Sequence, residues 1–327
     1  MAQIQRYDYI DTLRGGAMIA IILWHSCFLS LFYAPSVTAV PLFFMISGLF
    51  YKEQLSWKQL LVRNVKLLLV PYLAYNILCL LLYNGLYHLG VNMPEKSPMA
   101  IFYTHRADFV PNVATWYLLV LFWVVPLFKV LLYAASRIVP KWRVVTILAI
   151  VLVVGYAGYI MARHNIHLPM LIDIVPLGVM FYGLGYLIST MPILQSSARY
   201  DKLGYWLIVP MLVVYIVSRG YITMAAGVYD LSFIRLLVMM LSLFVAMFYL
   251  CKIIGRVPIV TYIGRYSLIA LCTHMMVIPL LMGVAMRLFD YDVAVVVSSV
   301  ATILLLRWCV IPSCIRFMPV ISGIARS

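Results

Sequence analysis

The sequence predicts an all-α polytopic membrane protein with about ten transmembrane helices and both termini in the cytoplasm. Hydrophobic residues make up 65% of its 327 residues and charged residues only 10%, against roughly 25% charged residues in soluble domains. The apolar segments run to roughly 20 residues, whereas barrel strands would alternate over about ten. No stretch between them is long enough to build a soluble core. We therefore treat residues 1–327 as one integral-membrane domain.

Ten apolar segments are predicted as spans. The first contains acids and Arg14 and no small-residue cleavage site, so we expect a retained span instead of a secretory signal. In chain order, the spans are predicted at residues 10–33, 36–51, 65–88, 113–135, 144–161, 172–189, 203–218, 231–250, 263–285 and 293–313.

The formal net charge of +14 is distributed unevenly between these spans. With the N-terminus inside, sixteen of the 24 Lys and Arg residues lie on the inner side, five on the outer side and three inside spans. This is the positive-inside bias, and it sets the predicted orientation. Topology and lipid headgroups explain most of the cations, so the charge does not indicate a nucleic-acid partner.

The first span carries ionisable side chains that membrane helices rarely contain. Asp8, Asp11, Arg14 and His25 all lie in DYIDTLRGGAMIAIILWHS. Eleven residues separate Arg14 from His25, so the two share a face to within roughly 20° and lie about 16 Å apart along the axis. This places a cation at the membrane rim and an imidazole near mid-bilayer. Ionisable groups there are costly, so we predict that both are functional and that Asp11 holds the Arg14 guanidinium.

The second and third spans add candidates near the inner surface. Ser47 and Gly48 in SVTAVPLFFMISGLFY permit close helix packing, or alternatively Gly48 admits a ligand to which Ser47 donates a hydrogen bond. Pro71 is expected to bend the third span. Arg63 and Lys66 are three residues apart and should share a helix face, where two cations suit the phosphates of a nucleotide-like cofactor.

The later spans contain four further candidates, Trp116, Ser267, His274 and Arg307. ATWYLL opens the fourth span and places Trp116 and Tyr117 at the outer interface, where an aromatic belt is the simpler explanation. IGRYSLIALCTHMM begins the ninth span, with Ser267 near the inner surface and His274 buried, most simply as a hydrogen-bonded core histidine. Arg307, inside the tenth span, needs a counter-charge, a carbonyl cluster or a water-filled cavity.

No metal site is predicted. The six cysteines show no metal-ligand spacing and lie within or at the ends of apolar segments, so we interpret them as small core residues. His164, His167 and Asp173 in the outer segment 162–173 are most simply solvated loop residues. The longest segment outside the spans, 89–112, is expected to be a structured outer loop near any acceptor site.

In combination, DTLRGGAMIAIILWHS, FFMISGLF, the basic run ending in KLLLVPY, ATWYLL and IGRYSLIALCTH resemble the integral-membrane acyltransferases of acyltransferase family three. The resemblance covers nearly the whole chain and is nearest to the fucose 4-O-acetylase-like O-acetyltransferases. It implies transfer of an acyl group, usually acetyl from acetyl-CoA, to a hydroxyl of a carbohydrate or related envelope molecule. It also implies a multi-pass protein of the bacterial cytoplasmic (inner) membrane.

The resemblance also implies roles for individual residues. His25 is then the catalytic residue, and Arg14 belongs to the donor end of the site. Ser47 and Gly48 match the Phe-Phe-x-x-Ser-Gly position of the family. Its basic patch often has adjacent arginines, whereas the matching residues here are separated. The cofactor-binding candidates are Arg14, Arg63, Lys66, Ser47 and Gly48, and the supporting candidates are Asp11, Trp116, Ser267, His274 and Arg307.

Helix geometry and the resemblance agree on the first span. The rise of about 16 Å from Arg14 to His25 is comparable to the extended pantetheine arm of CoA. We predict direct transfer with neutral His25 as general base on the acceptor hydroxyl, and an acyl-histidine intermediate is the rival route. Ser47, Trp116 and His274 are the candidate donors to the tetrahedral oxyanion.

The predicted partners are acyl-CoA, a sugar or glycan acceptor and the lipid bilayer, without nucleic acid, and a homo-oligomer is compatible with the sequence. A transporter or permease for a small polar or anionic solute is the alternative function, because ten spans with buried ionisable residues and Pro-interrupted helices suit one. No inverted repeat is visible to support it. A structural membrane protein would leave the buried charges unexplained.

Overall fold

The computed structural model describes residues 7–32, 38–91, 95–104, 111–138, 140–191 and 198–322, and helices make up nearly all of its regular structure. The α-helices are α1 (Asp8–His25), α2 (Ala39–Leu49), α3 (Trp57–Asn64), α4 (Val70–His88), α5 (Trp116–Ile138), α6 (Arg143–Arg163), α7 (Val175–Ser189), α8 (Ala198–Ser218), α9 (Phe233–Ile254), α10 (Pro258–Arg265), α11 (Ser267–Ala285), α12 (Tyr291–Leu305) and α13 (Ile311–Phe317). Short 3₁₀ turns cover Phe28–Phe32, Pro98–Ile101, Val113–Thr115, Pro140–Trp142 and Pro169–Ile174, and π-helical turns cover Val65–Leu69 and Leu306–Val310. A small antiparallel hairpin joins β1 (Ile222–Thr223) to β2 (Val228–Tyr229).

A helix is found within each of the ten predicted spans. In the described part of the chain, eight helical segments are long and apolar enough to cross a membrane. The other two spans contain α1, which carries Asp8, Asp11 and Arg14, and α2, which has only 11 residues. The all-α polytopic fold class is therefore confirmed, while the cytoplasmic position of both termini stays a prediction.

The third span contains a π turn just before Pro71. The span begins earlier than predicted, at Trp57, where Ser56 and Gln59 form a capping box. Helix α3 then passes through Val65–Leu69 into α4, and the Val70 N–H bonds to the Val65 carbonyl five residues back. Because proline lacks an N–H and its ring crowds the preceding turn, the wider turn accommodates Pro71 without ending the helix.

The first span is shorter than predicted. Helix α1 ends at His25, and Cys27 follows with a φ of 62°, a left-handed conformation that stops an α-helix. His25 is therefore the last residue of a helix. Cys27 is also exposed, as is Cys309, so the prediction that all six cysteines are core residues is wrong for these two.

Helix α1 is the structural centre of the described fold. It contacts α2, α9, α10, α11 and α12. Its buried side chains include Leu13, Met18 and Ile22, each at most 1% exposed. Such surroundings hold the position of α1, and hence of His25 at its end.

Glycines allow two close helix crossings beside the site. A Cβ on Gly15 would lie 1.9 Å from the Val260 carbonyl oxygen, so α1 and α10 meet backbone to backbone. A Cβ on Gly48 would lie 1.9 Å from the Tyr182 carbonyl oxygen, and one on Gly185 would lie equally close to the Met45 carbonyl oxygen. The structure thus gives Gly48 the packing role between α2 and α7.

Gly15→Ala is expected to lower the unfolding midpoint of the detergent-solubilised protein, because the new methyl group forces α1 away from α10. Overpacking of this kind costs about 1–3 kcal/mol. Gly16→Ala is the matched control, since its Cβ would have no neighbouring heavy atom within 4 Å. Alanine also favours a helix over glycine by about 1 kcal/mol, so the Gly16→Ala midpoint should hold or rise. Equal midpoints for the two variants would contradict the close crossing.

Candidate active site

Two histidines from opposite ends of the sequence meet at the end of α1. His25 Nδ1 lies 3.0 Å from His274 Nε2, and the ring centroids are 5.1 Å apart with a 35° tilt. His274 lies on α11 and is fully buried. The buried histidine that the sequence indicated therefore has the predicted catalytic residue as its partner.

The hydrogen bonds of His25 and His274 determine which ring nitrogens carry protons when both rings are neutral. His274 Nδ1 lies 2.9 Å from the Ala270 carbonyl oxygen, which can only accept, so His274 Nδ1 carries the proton. His274 Nε2 then has a lone pair and accepts a hydrogen bond from His25 Nδ1. The Nε2 atom of His25 is left unprotonated, with its lone pair available to a substrate.

His25 lines a cavity of about 170 Å³. Most of its walls are aliphatic or aromatic, and the polar residues among them include Ser47 and Ser267. The Ser47 hydroxyl lies 2.9 Å from the Tyr117 hydroxyl, which is 3.3 Å from the Phe43 carbonyl oxygen. The cavity thus surrounds an imidazole with apolar walls and a few hydroxyl groups, as in small-molecule sites.

Trp116 and Tyr117 line this cavity and are not an outer aromatic belt. Trp116 is only 6% exposed, so the belt interpretation is wrong. The preceding loop folds over the start of α5, because Asn112 donates to the Cys272 carbonyl oxygen and Asn76 donates to the Thr115 hydroxyl. Among the described residues, the Trp116 indole N–H has no hydrogen-bond acceptor in the protein, which leaves it free for a ligand.

A second cavity, of about 150 Å³, adjoins the first. Its lining includes Arg63, Asn64 and Tyr51. The residues that line both cavities are Arg14, Ser47, Leu68 and Leu121. The two cavities therefore adjoin at Arg14 and Ser47, and together we call them the path from His25, past Arg14, to Arg63.

Arg14 is positioned by an aromatic ring and a shared acid. Its guanidinium lies 4.7 Å from the Phe50 ring centroid and 3.9 Å from the Asp11 carboxylate. Asp11 is 3% exposed and also lies 3.5 Å from Arg265, which in turn contacts Asp8 at 3.3 Å. Asp11 does approach Arg14 as the helical spacing predicted, but it divides its charge between two arginines.

Five predicted residues line neither cavity. Asp11 and His274 contact Arg14 and His25, which do line the cavities. Lys66 is exposed, lies in the π turn that begins at Val65, and lines neither cavity. Gly48 packs against α7, as described above. Arg307 stacks 3.8 Å over the Tyr262 ring of α10, so its partner is an aromatic face, which the sequence analysis had not considered.

Four polar residues that line the cavities were not predicted from the sequence as site residues: Tyr117, Asn64, Tyr51 and Tyr182. Tyr117 follows Trp116 in the same motif and was interpreted as interfacial. Asn64 follows Arg63 and precedes Val65, and an amide at the start of an apolar span was the available signal. Tyr51 is the last residue of the second predicted span. Aromatic residues are common at such membrane interfaces, so nothing in the sequence marked Tyr51 as a site residue.

Comparison with known proteins gives one match. The model of acyltransferase family three, described as an acyltransferase domain, matches residues 7–310. The family resemblance is thereby confirmed, without a distinction between the fucose 4-O-acetylase-like subset and other members. No curated protein and no solved structure matches the chain.

Proposed function

We propose that this chain, which belongs to acyltransferase family three and is a membrane acyltransferase, moves an acyl group from cytoplasmic acyl-CoA to an acceptor hydroxyl. Acetyl is the proposed acyl group, and a carbohydrate or other cell-envelope molecule is the proposed acceptor. The bacterial cytoplasmic membrane is the proposed location, with the donor bound from the inner side. A transporter is not favoured, because the family match covers nearly all of the described chain.

The single observation that supports this proposal is the path from Arg63 past Arg14 to His25. Guanidinium groups bind phosphates through paired hydrogen bonds, and two of them, those of Arg14 and Arg63, line the second cavity. Arg14 and His25 are separated by a helical rise of about 16 Å, a length that suits an extended pantetheine arm. A nucleotide at the arginines would then bring its thioester beside His25.

The proposed reaction is direct transfer. His25 Nε2 takes the proton of the acceptor hydroxyl while the hydroxyl oxygen bonds to the thioester carbonyl carbon. The tetrahedral intermediate then collapses, the carbon–sulfur bond breaks, and the CoA thiolate leaves and takes up the proton from Nε2. The acyl group is thus transferred inside the protein without passage of CoA across the membrane.

The oxyanion of the intermediate needs hydrogen-bond donors. His274 does not serve, because its Nδ1 proton is held by the Ala270 carbonyl oxygen and its Nε2 accepts from His25. The Ser47 hydroxyl does not serve either, because the Tyr117 hydroxyl donates to the Phe43 carbonyl oxygen and so accepts the Ser47 proton. Among the described residues the Trp116 indole N–H has no acceptor, and Trp116 lines the same cavity as His25. We therefore propose Trp116 as an oxyanion donor.

Binding of acetyl-CoA to the purified protein in detergent tests the donor site. Calorimetry should detect binding to the wild type, and Arg14→Ala should weaken it at least tenfold because a charge-assisted hydrogen bond is lost. His25→Ala should bind with an affinity within about threefold of the wild type, since a base that acts on the acceptor adds little to donor affinity.

The control for charge is Arg137→Ala. Arg137 stacks on Tyr133 and lines neither cavity, so its loss should leave acetyl-CoA affinity unchanged. No binding of acetyl-CoA or longer acyl-CoA to the wild type would refute the proposed donor. Equal weakening by Arg14→Ala and Arg137→Ala would refute the donor path.

A further inference from the structure

Helix α10 is held against the first turns of α1 by direct backbone contact. A Cβ on Gly264 would lie 1.7 Å from the Asp11 carbonyl oxygen, in addition to the crossing at Gly15 described above. The Thr12 hydroxyl donates to the Gly255 carbonyl oxygen at 2.7 Å, on the segment just before α10. The backbone that follows Gly264 is therefore fixed in position beside Asp11.

The next residue, Arg265, lies between two acids of α1. Its Nε lies 3.5 Å from Asp11 Oδ2, and one of its terminal nitrogens lies 3.3 Å from Asp8 Oδ1. The other carboxylate oxygen of Asp11, Oδ1, lies 3.9 Å from the guanidinium of Arg14. The four side chains thus alternate in charge from Asp8 through Arg265 and Asp11 to Arg14. Of the four, only Arg14 lines the two cavities.

The burial of Asp11 makes this sharing of charge important for Arg14. The Asp11 side chain is only 4% exposed, so solvent screens its carboxylate weakly. A buried carboxylate must be compensated by cations, so the loss of Arg265 would shift more of the Asp11 charge onto Arg14. An arginine that pairs closely with a carboxylate has fewer N–H groups and less charge available for a phosphate.

We infer that Arg265 is a positioning residue for the acyl donor, because by engaging one oxygen of Asp11 it keeps Arg14 available to the donor phosphates. This inference rests on the proposed function, since it assumes that Arg14 binds acyl-CoA. Arg265 lines neither cavity and therefore acts through Asp11 and Arg14. Asp11 then orients the Arg14 guanidinium without neutralising it.

Displacement of radiolabelled acetyl-CoA from the full-length protein in detergent measures the donor affinity. Arg265→Gln should weaken acetyl-CoA binding about tenfold, because Asp11 then competes more strongly with the phosphates for Arg14. Adding Asp11→Asn to this variant should restore the affinity to within about threefold of the wild type, since the competing carboxylate is gone.

A variant without Arg14 separates this indirect effect from damage to the fold. In the Arg14→Ala protein, Arg265→Gln should lower acetyl-CoA affinity by no more than a further threefold, because Arg265 acts through Arg14. Damage from an uncompensated Asp11 would be greatest in this double variant, which lacks both cations, and so would cause a large further loss.

Two single substitutions serve as controls. Arg265→Lys keeps a cation beside Asp8 and Asp11, so its acetyl-CoA affinity should be within about threefold of the wild type. Arg256→Gln changes the net charge by the same amount as Arg265→Gln. Arg256 is exposed just before α10 and lines neither cavity, so its loss should leave acetyl-CoA affinity unchanged.

The outcomes distinguish this inference from the proposed function. If the wild type does not bind acetyl-CoA, the proposed donor itself fails. If the wild type binds and Arg265→Gln binds equally well, or if Asp11→Asn does not restore the affinity of Arg265→Gln, the role of Arg265 is wrong and the donor assignment stands. A further tenfold loss on adding Arg265→Gln to Arg14→Ala would also overturn the inference, since Arg265 would then act independently of Arg14.

Discussion

His25→Ala should lower kcat for acyl transfer by about 10³-fold, the largest effect that we expect from a single substitution. The variant loses the only unprotonated ring nitrogen that the histidine pair offers to an acceptor hydroxyl. Donor binding depends on the arginine end of the path, so KM for acetyl-CoA should change little. CoA release is measured with an acceptor that supports turnover by the wild-type protein.

The control for this variant is His88→Ala. His88 is exposed at the end of α4 and lines neither cavity, so kcat should be unchanged. Activity of His25→Ala within tenfold of the wild type would refute the role of His25 as base. Mass spectrometry of protein quenched during turnover tests the rival route, because an acyl group on the His25 ring would replace direct transfer by an acyl-histidine intermediate.

The site residues of the first helix were largely predictable from the sequence, because helical periodicity alone relates their positions. Arg14 and His25 share a face at a spacing of eleven residues, and the cost of ionisable groups in a membrane singles them out. The structure places both side chains in the lining of one cavity. Where α1 ends was not predictable, since the apolar pattern continues beyond the left-handed conformation at Cys27.

The rest of the site depends on contacts between distant segments. His25 and His274 are 249 residues apart, and no periodicity relates α1 to α11. Trp116 was misinterpreted for the same reason. Its position near a span boundary is typical of an aromatic belt, whereas its burial results from the folding of residues 111–115 onto α4 and α11.

The roles of the two nitrogens of His274 can be separated by two amide substitutions. In His274→Gln, the amide oxygen reaches approximately the position of Nε2 and can accept from His25. In His274→Asn, the amide nitrogen is close to the position of Nδ1 and can donate to Ala270, but nothing accepts from His25. The His25 ring is then free to place its proton on Nε2, where it cannot act as a base.

We therefore expect His274→Asn to lower kcat by about 100-fold and His274→Gln to lower it by less than tenfold. KM for acetyl-CoA should be similar in both variants. Both substitutions put a shorter or more flexible amide into a fully buried position, so both should lower the unfolding midpoint. The comparison of kcat between them separates proton placement from packing, since Gln keeps the acceptor for His25 Nδ1 and loses the donor to Ala270, whereas Asn does the reverse.

A double variant tests whether His274 and His25 act as one unit. If His274 acts through His25, His274→Asn should cause no further loss of kcat in the His25→Ala protein, because groups that act as a unit are not additive. Equal losses in His274→Asn and His274→Gln would mean that His274 is a packing residue. Additive losses in the double variant would mean that it contacts the reacting atoms by itself. Only the combination of unequal single variants and a non-additive double variant supports His274 as the residue that sets the proton position on His25.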